Sequence, residues 1–281
     1  MITFINPYIE EKVWQVFEHS SWRGWKPPTR AKGISGEDLS KIECVTITNP
    51  GTISIRSSAI TRIWDTDMST HFMTLTWSSL ELNYDELVKV DGYEDDLMMF
   101  SHIHSFYCDA PITIDVINSF SNLLNLGLSK MEISDWSFLL NLKNLYTISL
   151  NECGQNGNEA IEIICDLYAE QLITAKQIQA ESCHVSADID AVSYESRANL
   201  EFIAVIDMCV DDLSPFMKAR EPLVLWELNL SNNKIYDVSP LYGISVEDIH
   251  LINNNIEDLG KAYSDIFIVH DDNNGLKQED I

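Results

Sequence analysis

Two short passages in the C-terminal third of the chain repeat one another. Leu228-Asn-Leu230-Ser-Asn-Asn233-Lys-Ile235 and Ile249-His-Leu251-Ile-Asn-Asn254-Asn-Ile256 share the form L-x-L-x-x-N-x-I, with first residues 21 positions apart. A period of roughly 20–29 residues commits a chain to stacking short supersecondary units, because one unit alone cannot bury its apolar face. Further copies lie in phase: Leu126-x-Leu128 leading to Ile133, Ile148-x-Leu150 leading to Cys153, and Ile206-x-Met208 leading to Asp211 and Leu213. Looser copies are Ile53-x-Ile55, Met73-x-Leu75, Ile103 with Cys108, Ile178-x-Ala180 with Cys183, and Ile266-x-Ile268 with Asp271. Residues 158–171 carry an apolar spacing that predicts a helix inserted between two copies.

Alternating apolar residues turn one face of a short strand into the core, and strands of successive copies then stack as a parallel sheet. The Asn of the pattern turns inward after the strand, where it satisfies backbone groups of neighbouring turns. Cysteine is accepted there as well, which places Cys108, Cys153 and Cys183 at buried turns without invoking redox or metal chemistry.

On these motifs the chain resembles the leucine-rich repeat family, and the copies with the Asp237-Val-Ser-Pro-Leu241 corner are similar to the internalin type. The resemblance implies an α/β fold: a leucine-rich repeat solenoid of about nine or ten repeats, with a parallel β-sheet on its concave face. Residues 50–271 form the expected solenoid and 272–281 an acidic tail. Residues 1–49, with Trp14, Phe17, Trp22 and Trp25, form the expected N-terminal cap. In that cap, residues 43–48 and 52–57 around Asn49-Pro50-Gly51 predict a β-hairpin.

Charge narrows the partners. Eighteen Lys and Arg against 44 Asp and Glu leave a net charge of −26. Such a surface repels phosphate backbones and anionic lipid, so neither nucleic acid nor membrane is expected, whereas a basic protein is attracted. No apolar run of 18 residues occurs, the N-terminus lacks a signal-peptide pattern, and the six cysteines form no C-x-x-C pair. The expectation is a cytoplasmic protein with reduced thiols.

Motifs for catalysis are missing: there is no Gly-rich phosphate loop, G-x-S-x-G elbow or H-E-x-x-H helix. His102 and His104 share a strand face, but no carboxylate or thiol completes a metal shell, so they are read as contact residues. The acidic runs at 93–96 and 271–280 lack calcium-loop spacing and read as solvated loops. The aromatic and basic segment Trp22 to Pro28 reads as packed cap rather than a nucleic-acid platform. No enzyme, cofactor or metal is expected.

The concave face of such a solenoid is an extended binding surface. The residues beside the paired apolar positions give Phe72, His102, His104 and Phe106 early in the chain, and Glu181, Asp207, Glu227, Asp248 and Asp265 later. Five acids without an intervening Lys or Arg predict a strip that captures a basic protein. The role expected is that of an inhibitor or immunity protein neutralising a basic toxin or nuclease. The alternative is an intracellular scaffold or adaptor that docks a signalling enzyme without inhibiting it.

Overall fold

The computed structural model describes residues 1–19, 25–49, 79–183, 200–219, 222–256 and 268–270. They divide into two compact units, Met1–Met131 and Glu132–Ile281.

In the first unit, helix α1 (Pro7–His19) buries Ile9, Val13, Trp14 and Phe17. Arg30 bridges Glu11 and Glu18 outside it and lies over the Trp14 ring. Short helices α2 (Gly36–Leu39), α3 (Tyr84–Leu87), α4 (Tyr93–Met98) and α5 (Ile114–Asn118) are interspersed with strands β1 (Cys44–Thr48), β2 (Ser79–Asn83), β3 (Ser105–Cys108) and β4 (Asn125–Ser129). The strands are parallel and run in the order β2-β1-β3-β4. Thus β1 belongs to the sheet, with both edges filled by parallel partners. The second arm of the expected hairpin, residues 52–57, lies outside the described residues, as does Trp22. The acidic run at 93–96 is not a solvated loop but the start of α4. Asp96 is fully buried there and accepts the backbone N–H groups of Ile5 and Asn6, which supply the partners a buried carboxylate requires.

In the second unit, strands β5 (Thr147–Asn151), β6 (Phe202–Ile206), β7 (Val224–Asn229), β8 (Ser245–His250) and β9 (Ile268–His270) are parallel and sequential. Between them lie 3₁₀ turns at Ser137–Asn141 and Ser239–Gly243, the long helix α6 (Gly157–Cys183), and α7 (Ser214–Lys218). The repeat at Ile178-x-Ala180 is absorbed by α6, so Cys183 ends a helix rather than occupying a repeat turn. The apolar spacing that begins at Ala160, Ile161 and Ile164 continues at helical period, and the helix runs on through the suspected strand.

One frame, L-x-x-L-x-L-x-x-N, fits both units once the strands are in hand. Its fourth and sixth positions are Val45 and Ile47, Phe106 and Cys108, Leu126 and Leu128, Ile148 and Leu150, Ile203 and Val205, Leu228 and Leu230, and Ile249 and Leu251, all buried. Cys108 therefore packs inside a strand, while Cys153 holds the Asn position and donates its S–H to the Asn151 carbonyl. Cys108, Cys153 and Cys165 are buried, reduced thiols, and burial pushes the Cys165 thiol up to about 12. A thiol held protonated is a poor nucleophile. These three should resist alkylation in the native protein and react within the dead time after denaturation, with the half-exposed Cys209 labelled first. Fast native labelling of Cys153 would contradict its inward position.

Candidate binding face

The outward residues of each strand, at the second, third, fifth and seventh positions of the frame, form the candidate site. In the first unit they are small or uncharged along β3 and β4, apart from Asp109 at the seventh position of the β3 frame. Asn125 donates to the Ser105 hydroxyl at 3.0 Å, and the Tyr107 ring lies over Gly127. A Cβ on Gly127 would come within 2.6 Å of that ring, so the glycine is what lets the aromatic ring lie flat on the sheet.

Several expected contact residues fall elsewhere. Phe106 points into the core, fully buried and 4.9 Å from the Phe120 ring, because Ser105 and Tyr107 are the outward residues of β3. His102 precedes the strand, its ring bonded to the Ile42 carbonyl at 2.9 Å. His104 keeps an outward position, the second of the frame, where it is half-buried with its backbone bonded on both sides to Glu43 and Leu124. Glu181 lies in α6. Phe72 and Asp265 lie outside the described residues.

Asp207 is not on the face either. The strand of its repeat is β6, so Ile203 and Val205 hold the apolar positions, and Asp207 is the eighth residue of the frame with φ of 52°. Lys130, Glu152, Asn232 and Asn253 occupy the same corner and share the left-handed conformation, with φ between 52° and 59°. An L-residue pays roughly 1–2 kcal/mol there, a penalty glycine escapes. Asp207→Gly should therefore raise thermal stability slightly, by about 0.5 kcal/mol after the added flexibility of the unfolded chain, and leave partner affinity unchanged. A lost affinity in calorimetric titration would return Asp207 to the binding surface.

Glu227 and Asp248 do lie side by side on the face, paired in the β7–β8 register. Between them sits His250, its Nε2 3.4 Å from Asp248 Oδ2 and 3.6 Å from Glu227 Oε1. Glu227 and His250 are 6% and 7% exposed, so their field acts through little solvent. The same register brings in two acids and an aromatic residue that the sequence reading missed. Glu201, Trp226 and Glu247 hold the second position on β6, β7 and β8. Glu201 Oε2 accepts the Tyr146 hydroxyl at 3.0 Å, and the Tyr146 and Phe202 rings are 5.3 Å apart. Burial, and after it that carboxylate, push the Tyr146 hydroxyl well above its ordinary range. Across β5 to β8 the outward positions of the frame carry four acids, one histidine and neither Lys nor Arg. This face holds most of its negative charge at its β7–β8 end, while Tyr146 and Phe202 give aromatic surface at its β5–β6 end, beside the small residues Ser149 and Ala204.

No protein-family model matches the sequence, and no curated protein matches it. Among solved structures, the chain is similar to two internalins from Listeria monocytogenes strain 4b F2365. The internalin inlF is 16% identical with a TM-score of 0.49, aligned over 97% of this chain and 66% of its own length, so the chain spans just under two thirds of it. Internalin C2 is 17% identical with a TM-score of 0.49, aligned over 96% of this chain and 94% of its own length.

Proposed function

We propose that this chain is a non-enzymatic protein-binding module whose concave face in the second unit captures a basic protein. The observation that carries the reading is the pairing of Glu227 with Asp248 on adjacent strands, flanked by Glu201 and Glu247, with no Lys or Arg at the outward positions of β5–β8. Adjacent like charges repel in the free protein, so a cationic partner both relieves that repulsion and adds ion pairs. The biological role that fits a net charge of −26 is occlusion of a basic toxin or nuclease by a cytoplasmic inhibitor or immunity protein.

The test is a partner capture at low and high salt, followed by cross-link mapping and an activity assay of the captured protein. A basic partner that cross-links to β6–β8, dissociates as salt rises, and loses activity at one equivalent supports the reading. A partner that stays active in the complex replaces inhibition with scaffolding. A neutral or acidic partner, or cross-links confined to α6 and α7, overturns it.

A further inference from the structure

Trp226 is 44% exposed on β7, with Val224, 45% exposed, two residues before it on the same side of the strand. An indole left open on a sheet face is a costly arrangement for a free protein, and open tryptophans are the usual anchors of interfaces. Its neighbours define the chemistry it would meet. The register Phe202↔Glu227↔Asp248 places Glu201 on one side of Trp226 and Glu247 on the other, at the spacing of adjacent strands, about 4.8 Å. The Trp226 backbone N–H donates to the Glu201 backbone carbonyl at 2.9 Å, which fixes the strand that carries the indole against β6. The Glu201 carboxylate is itself oriented by the Tyr146 hydroxyl. Glu247 is exposed.

We infer that Trp226, between Glu201 and Glu247, is the seat of an arginine side chain from the partner. A guanidinium is planar, so it can stack on the indole while its edge donates to carboxylates on either side; it is also weakly hydrated, so stacking strips off little water. The ammonium of lysine is a compact, strongly hydrated point charge, and it uses the carboxylates without using the plane. The face thereby selects among cations, which a plain acidic strip does not. This inference rests on the reading that the face takes a basic protein, and it adds the identity of the side chain received.

The experiment uses the full chain labelled with 5-fluorotryptophan, the Trp226 resonance being assigned by its loss in Trp226→Phe. Acetylated hexa-arginine and hexa-lysine are titrated at fixed ionic strength. Hexa-arginine should shift the Trp226 resonance and bind about threefold to tenfold more tightly than hexa-lysine. Trp226→Ala should erase that preference while both peptides still bind, and Glu201→Gln with Glu247→Gln should weaken hexa-arginine about tenfold. Far-ultraviolet circular dichroism checks that each variant is folded. A preference that survives Trp226→Ala, or hexa-arginine binding that leaves the Trp226 resonance in place, overturns the arginine seat but leaves the basic-partner reading standing. Failure of both peptides to bind the wild-type chain overturns both.

Discussion

Asn233→Ala should destabilise the second unit by about 3–5 kcal/mol, as much as truncating a large buried aromatic side chain. The buried Asn233 amide donates to the carbonyls of Val205 at 2.7 Å, Leu230 at 2.9 Å and Ser231 at 3.2 Å. Its oxygen accepts from the backbone N–H groups of Met208 at 3.1 Å and Val210 at 3.0 Å. One side chain thus closes the turns of two successive repeats. Alanine removes all five contacts and leaves the backbone groups buried, at roughly 1–3 kcal/mol for each group not re-satisfied. At about 2–4 °C per kcal/mol, the unfolding midpoint falls by on the order of 10 °C. Asn254 makes the same arrangement one repeat later, donating to Leu230 and Leu251 and accepting from Ile235. The measurement is chemical denaturation of single and double variants. Because both side chains bond the Leu230 carbonyl, the double variant should lose less than the sum of the two. A loss below 1 kcal/mol for Asn233→Ala would mean water replaces the amide.

The second large effect is kinetic. Glu247→Lys with Asp248→Lys changes the local charge by four at the acid end of the face. Steering by a focused field raises association rates by 10–10³, and the effect is screened beyond about 8 Å at physiological salt. Association with the basic partner should slow by roughly tenfold to a hundredfold at low salt, and its dependence on ionic strength should flatten. Both residues are exposed or half-exposed, so thermal stability should stay within about 0.5 kcal/mol. Stopped-flow or surface-plasmon rates at several salt concentrations decide this. An unchanged on-rate would place the contact surface away from β8.

Parallel sheet and repeat were legible where the pattern was complete. At Leu228 and Ile249 the apolar pair and its Asn occur together, and only one register satisfies both. Elsewhere the Asn position holds Met131, Met208 or Pro111, and the frame loses its anchor. At β6 the apolar seventh residue, Ile206, followed by Met208 imitates an L-x-L pair, so the register slipped by three residues and Asp207 was placed on the face. At β3 the first-position Ile103 imitates the start of the strand pair, a register that would turn Phe106 outward. The strand at Val45 and Ile47 has the same spacing as the others but ends in Asn49-Pro50, a turn signal that reads equally well as a hairpin. Glu227 and Asp248 were found because their repeats are the two complete ones. Trp226 escapes a reading that takes only the neighbours of the apolar pair as outward, because it stands at the second position of the frame, two residues before Leu228.

The order β2-β1-β3-β4 bears on how the first unit is made. Cys44 of β1 pairs with Ser105 of β3, 61 residues later, whereas Ser105 pairs with Asn125 only 20 residues on. Closing the longer loop costs about 1 kcal/mol more in chain entropy than closing the shorter. During synthesis β1 emerges first, yet until β3 follows its only sheet partner is β2, and a lone pair of strands is marginal in water. Val45 and Ile47 keep an open flank until Phe106 and Cys108 have been added. The first strand translated in this unit is thus among the last to be fully enclosed, while in the second unit β7 and β8 can zip together as the ribosome delivers them.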